Sequence, residues 1–218
     1  MLRSLVGSEM CIRDRDITRV LYPNDMQRAG KVLRLKQQYF FVSASIQDLV
    51  EKYKRYFSDD MRFKNFHKYH VIQLNDTHPN IAIAELIRVL VDENGLDFDQ
   101  ALEISKKVFA FTNHTVLQEA IEKWPIDIVE EVSPRCLEII YQINDALVKH
   151  FKDEGLSDFD IDPYRIVIND QVHMANLAIY VGFSVNGVAA LHTEILKADT
   201  FKHWYKICLL YTSDAADE

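Results

Sequence analysis

Apolar residues change period several times along this chain, and each change marks a new element. Leu35, Tyr39, Val42, Ile46, Leu49, Tyr53 and Phe57 recur every three or four positions, which predicts a helix of about two dozen residues. A polar loop, SDDMRFKNFHKY, follows. The short β-rich run HVIQL at 70–74 then suits a buried strand. After Pro79, taken as the first-turn proline of a helix, Ile83, Leu86, Ile87, Leu90 and Val91 share one face, and Asn94-Gly95 closes it. Residues 97–108 read as a second amphipathic helix, acidic early and ending in Lys106-Lys107, as the helix dipole favours. VFAFTNH at 108–114 is a second strand, and Val116 to Trp124 is predicted helical. Ser133-Pro134 opens a long helix, serine as cap and proline in the first turn. Leu137, Ile140, Tyr141, Asn144 and Val148 carry it on to Gly155. YRIVIND at 164–170 suits a strand or the approach to a helix, and VHMANLAIYV is helical. The last segment starts irregularly at Asn186-Gly187 and becomes a helix. Strands alternating with helices predict an α/β fold with a largely parallel sheet. In such sheets ligands lie beyond the carboxyl ends of the strands, where this chain carries Asp76, His78, Asn113 and His114.

Composition narrows the partners. The 218 residues are 48% hydrophobic and carry a net charge of −8 with no basic block, which argues against nucleic acid and anionic membrane. No apolar run reaches the roughly 18 residues of a membrane span. Three scattered cysteines give neither a disulfide frame nor a zinc pattern, and a reducing, cytoplasmic setting fits them. The ends read differently from the middle. MCIRDR at 10–15 and CLLYTS at 208–213 can be written as translations of opposite strands of one DNA word. Residues 1–15 and 208–218 are therefore expected to be translated sequencing adapter, with 16–207 as the stretch that folds.

The strand ends offer a carboxylate, amides, imidazoles and hydroxyls, a set able to donate to and accept from a polyol. Asp76 reads equally as a helix cap, and a histidine at a strand end as a satisfied structural group. Asp76, His78 and His114 also suit a two-histidine, one-carboxylate metal set, although no local ligand spacing supports it. With six scattered glycines and no GxGxxG, a dinucleotide site has no support, and serine hydrolysis lacks its GxSxG turn.

TRVLYPND, LRLKQQYF, IQLNDTHP, TNHTVLQEAIEKWP, IIYQIN and VNGVAALHTEILK occur in that order between residues 16 and 207. Together they resemble the glycogen/starch/maltodextrin phosphorylases. The resemblance implies part of the N-terminal Rossmann-like domain of a two-domain GT-B glycosyltransferase. It implies an intact enzyme that splits α-1,4-glucan with inorganic phosphate to α-D-glucose 1-phosphate, acts as a homodimer and uses pyridoxal 5'-phosphate. The cofactor's lysine is expected outside this stretch, because none of Lys31, Lys36, Lys106 or Lys197 stands in a matching motif. His114 matches the catalytic ligand of the glucose 6-hydroxyl, with Asn113 and Thr115 beside it. Asp76 and His78 match the wall on the β side of the sugar, and Arg34 and Glu122 match further pocket residues. An unpaired, buried Asp76 is costly, so Arg34, an imidazole or backbone N–H groups are expected beside it. Asn186 and Val188 match the segment near the 6-position, and Tyr22, Asn24 and Asp25 the gate loop. Met26 and Gln27-Arg28 depart from the family's asparagine and gate aromatics. Glu51-Lys52 replaces an arginine pair that holds the AMP phosphate in allosteric relatives, so no AMP activation is expected. Phe183 replaces a frequent polar residue. A non-catalytic carbohydrate-binding or regulatory paralogue is the alternative, and a metal-dependent hydrolase a third class.

Overall fold

The chain is described by a computed structural model over residues 16–21 and 23–207. The expected adapter segments and Tyr22 of the gate loop lie outside the described residues. Helix α1 runs Arg28–Tyr56 and buries Leu35, Val42, Ile46 and Tyr53 of the predicted stripe, with Val50 beside them; Tyr39, Leu49 and Phe57 are half-buried, and Lys54 and Arg55 stand in its last turn. The polar loop after it is less polar in effect than it reads. Phe63 and Phe66 are fully buried, and a short helix α2, Phe66–Tyr69, leads into the first strand.

Strands β1 (Ile72–Asn75), β2 (Phe109–Asn113) and β6 (Ser184–Gly187) form a parallel sheet in the order β1-β2-β6. The register pairs Asn75 with Thr112 and Thr112 with Asn186. Phe109, Ala110 and Phe111 of the central strand are all buried, as expected for a parallel strand covered on both faces. β6 corrects the reading of Asn186-Gly187 as an irregular helix start. That glycine serves close packing rather than a turn, because a Cβ there would lie 2.8 Å from His192 Nδ1 and 2.9 Å from the Thr193 nitrogen.

Helix α3, Ala82–Arg88, continues as a π-turn to Glu93 and packs against α1, α4 (Phe98–Ser105), α6 (Pro134–Asp153) and α8 (Met174–Val181). Surrounded in this way it buries even Glu85, whose carboxylate takes Arg88 Nε at 2.7 Å and Nη2 at 2.8 Å, Ser43 Oγ at 2.7 Å and Tyr39 at 3.2 Å. Arg88 and these hydroxyls hold Glu85 ionised below the usual carboxylate range against the cost of its burial. α3 begins three residues later than the first-turn reading of Pro79 requires. Pro79 sits in the preceding turn, its carbonyl accepting the Ala82 amide at 2.8 Å. Asp97 caps α4 by accepting the Gln100 amide, whereas Ser133 makes no capping bond at the start of α6. On α6 the stripe turns inward through Leu137, Ile140 and Asn144, and Tyr141 is exposed.

A second, antiparallel sheet in the order β3-β5-β4 joins Lys123–Pro125, Gln171–His173 and Val167–Ile168. It corrects the predicted helix over Val116–Trp124, which is a 3-10 turn at Gln118–Ala120 followed by β3. Pro125 biases the residue before it away from the helix, and Trp124 pairs with Val172. Helix α5 (Ile126–Val132) follows, then α6 and a short helix α7 (Asp158–Ile161). After β6 the described residues finish with α9 (Ala190–Ile195), a π-turn and α10 (Lys202–Ile207).

Candidate functional site

β1 stops at Asn75, and Asp76 then takes a left-handed backbone, φ 64°, which aspartate tolerates better than most residues. Its amide still donates to the Thr112 carbonyl at 2.8 Å, so the residue stays fixed to the sheet. Oδ1 accepts the Thr77 amide at 2.6 Å, the local N–H bond expected for a half-buried carboxylate; it caps no helix. At the end of β2, Asn113 is buried and accepts the Thr115 amide at 2.9 Å, while the Thr115 hydroxyl accepts from Leu117 at 3.1 Å. His114 is exposed, and its Nε2 hydrogen-bonds Asn75 Oδ1 across the two strands. The row continues to β6, where Asn186 Oδ1 accepts the Thr112 hydroxyl at 3.2 Å. Beyond it the Val188 amide donates to His192 Nδ1 at 3.0 Å.

Beside this row opens a cleft of about 410 Å³. The N-terminal part of α1, the turn after β1 and the 118–125 segment form its walls. Arg34 is its organising cation. It reaches Asp25 at 2.6 Å and Glu122 Oε1 at 3.0 Å, and its guanidinium lies 5.9 Å from the Trp124 ring centre. Gln38 donates to the same Glu122 oxygen at 3.1 Å, and His78 Nδ1 stands 3.6 Å from it. The Glu122 carboxylate raises the His78 imidazole above its ordinary value; burial and Arg34 oppose it, and Asp76 adds to it. Among the described residues, buried Glu122 Oε2 and Trp124 Nε1 have no hydrogen-bond partner. Both atoms lie beneath the cleft surface and face no solvent. The cleft surface itself carries carboxylates, a guanidinium, an ammonium and an imidazole from Asp25, Glu122, Arg34, Lys31 and His78, and hydroxyl groups, which both donate and accept, fit that mixed set.

The structure therefore brings together Asp25, Arg34, His78 and Glu122. Asp76, Asn113, His114, Thr115, Asn186 and Val188 are not in the cleft lining; they follow the strand ends next to it. Arg34 does not pair with Asp76, because Asp25 and Glu122 occupy it. Asn24 of the gate loop accepts the Met26 amide at 3.0 Å. Asp76, His78 and His114 do not converge: among the described residues no three His, Cys, Asp or Glu side chains could hold a metal ion.

The sequence model of the carbohydrate phosphorylases matches residues 8–211. The chain belongs to the carbohydrate phosphorylase family. Among its relatives, glycogen phosphorylase 2 of Dictyostelium discoideum is 45% identical over 199 residues, 89% of this chain and 20% of that protein. The glycogen phosphorylase of Synechocystis sp. is 44% identical over 196 residues, 88% and 23% of the two chains. The brain form of glycogen phosphorylase from Homo sapiens is 45% identical over 203 residues, 88% and 24%. The chain thus spans 20 to 24% of the length of these curated relatives. Lining residues that the sequence reading did not name as site residues include Lys31 and Trp124, and it also missed Gln38, which bonds Glu122 from outside the lining. Gln38 was within reach, because it lies one helical turn beyond Arg34 on the same face. Trp124 read as core, and it is buried as core while edging the cleft.

Proposed function

We propose that this chain forms the sugar-holding wall of an α-glucan phosphorylase. Residues 16–207 would be part of the N-terminal Rossmann-like domain of a GT-B enzyme, with α-1,4-glucan and inorganic phosphate as substrates and α-D-glucose 1-phosphate as product. The observation that carries this reading is the cleft. Arg34 holds Asp25 and Glu122 in place, and these groups with His78 line a cleft beside the row from Asp76 to His114. Glucosyl transfer passes through a cationic sugar, so placement of the ring and fixed charge around it set the rate. His114, bonded to Asn75, and Asn186, bonded to Thr112, stand at the ends of hydrogen-bonded strands, the kind of support such placement needs. Asp25 and Asn24 at the entrance of the cleft would belong to a gate, Tyr22 with them.

The family is pyridoxal phosphate-dependent in general, and the residues here do not fit its attachment. No lysine among the described residues is buried, and the half-buried Lys106 and Lys197 are paired with Glu103 at 3.1 Å and Glu194 at 2.6 Å. A Schiff-base lysine requires desolvation that lowers its pKa. No step is therefore assigned to that group on these residues. A homodimer in the cytoplasm is the expected setting. On α1, Glu51 pairs with Lys54 and Lys52 with Asp48, so this turn offers a nucleotide phosphate no free pair of cations.

The test is phosphorolysis by the full-length gene product. Supplied with maltoheptaose and phosphate it should release glucose 1-phosphate, and His114→Ala should lower turnover by about ten- to a hundredfold through lost placement. Unchanged turnover in that variant would remove His114 from the site. Glucan binding without product would favour the non-catalytic paralogue.

A further inference from the structure

A second hollow, of about 330 Å³, lies at the amino ends of β1 and β2. Helix α2 enters β1 and helix α4 enters β2 at this end, whereas Asp76 and His114 leave the strands at the opposite one. Its walls are mainly apolar, and three cationic residues, Arg62, Lys64 and Lys107, contribute to them. Arg62, Lys64 and His67 come from the loop and helix before β1, and Lys107 comes from the end of α4. Ile104 forms an apolar floor.

These charges lack counter-ions. Among the described residues no carboxylate pairs with Arg62, Lys64 or Lys107; Arg62 only reaches the Gln100 amide oxygen, at 3.4 Å. Two nearby acids are engaged elsewhere. Asp60 takes the Tyr53 hydroxyl at 2.6 Å and the amides of Lys64 and Asn65 at 3.0 and 2.8 Å. Glu103 lines the hollow but pairs with Lys106 at 3.1 Å. The bland account is a solvated basic face, and for Lys106 and Lys107 the C-terminal dipole of α4 supplies a local reason. That reason does not reach Arg62, Lys64 and His67, which belong to another segment. In a chain of net charge −8, cations from two segments turn toward one concave surface instead of toward acids.

We propose that this hollow is a binding site for a small organic phosphate, its dianion held by Lys64, Lys107 and Arg62 and its carbon body laid on Ile104 and the alkyl stems of the cations. The size agrees with sites for small molecules, which begin at about 300 Å³. Guanidinium and ammonium groups are the usual partners of phosphate. The site is separate from the glucan cleft, so it stands whether or not that reading holds.

The test uses the full-length protein and phenyl phosphate as the probe, followed by isothermal titration calorimetry at low salt. Inorganic phosphate and phenol serve as separate probes for the charge and the body. Inorganic phosphate is also a proposed substrate, so the readout is the part of the phenyl phosphate isotherm that the variants below change, and phenol should not reproduce that part. Lys64→Ala/Lys107→Ala should weaken the phenyl phosphate site by tenfold or more. All these side chains are exposed, so the fold should survive the change. Glu103→Gln, which removes the one carboxylate facing the ligand, should tighten the site several-fold. Isotherms unchanged by both variants would overturn the proposal, as would phenol binding as well as phenyl phosphate.

Discussion

At the scale of single residues, Glu122 decides the chemistry of the cleft. One of its oxygens collects Arg34, Gln38 and, at longer range, His78; the other is left over. The consequence is a pH dependence of known sign. The folded pKa of His78 lies above the roughly 6.5 of a free imidazole. Its attraction to Glu122 is therefore fully present below that value and is lost as pH rises through the raised one. The imidazole is nearly half exposed, so the effect on stability is small and the titration itself is the better readout. An NMR titration should place His78 above 6.5, and Glu122→Gln should bring it down. A titration indifferent to that substitution would remove the carboxylate as the cause. The sequence put Asp76, His78 and Glu122 in view, but not which carboxylate the arginine would choose. That choice depends on the approach of α1 to the 118–125 segment, some 88 positions apart, and no local pattern encodes it.

At the scale of elements, the strands with strong apolar runs were legible and the short ones were not. Phe109–Phe111 announces β2, and the run around Leu74 announces β1. β6 is hidden by Asn186-Gly187, whose usual meaning is a turn, and β3 by its three-residue length. The hairpin β4-β5 is missed too, since the sequence leaves 164–170 open between strand and helix approach and reads Val172-His173 as helix, although Asn-Asp stands between two short runs and both residues have positive φ, 49° and 57°. Two left-handed residues make the two-residue turn that matches strand twist, and glycine is the favoured second residue. Asp170 is exposed, and its carbonyl accepts the Ile126 amide at 3.0 Å, a bond any residue keeps. Asp170→Gly should thus stabilise the chain. Relief of about 1–2 kcal/mol of left-handed cost is offset by about 0.5–1 kcal/mol of glycine entropy, leaving roughly 0.5 kcal/mol. A higher urea midpoint at unchanged slope would show it; a lower midpoint would mean that the aspartate side chain contributes more than its backbone costs.

At the scale of the whole molecule, the cleft is a property of the tertiary fold. Its walls come from the start of α1, from the turn after β1 and from the segment leading into β3, and the last is held by pairing with β5. An unfolded chain has no such cleft, so a glucan that fills it binds the native state alone. Linkage then sets the stabilisation: at a hundred times its dissociation constant, maltoheptaose should add about 2.7 kcal/mol to the unfolding free energy. Arg34→Met keeps the alkyl stem and removes the charge that fixes Asp25 and Glu122, and it should abolish that gain in the full-length protein. Lys64→Ala, at the other end of the strands, should leave it intact. A glucan gain that survives Arg34→Met would place the sugar away from this cleft, and the strand-end row around His114 would then have to hold it without the Arg34 wall.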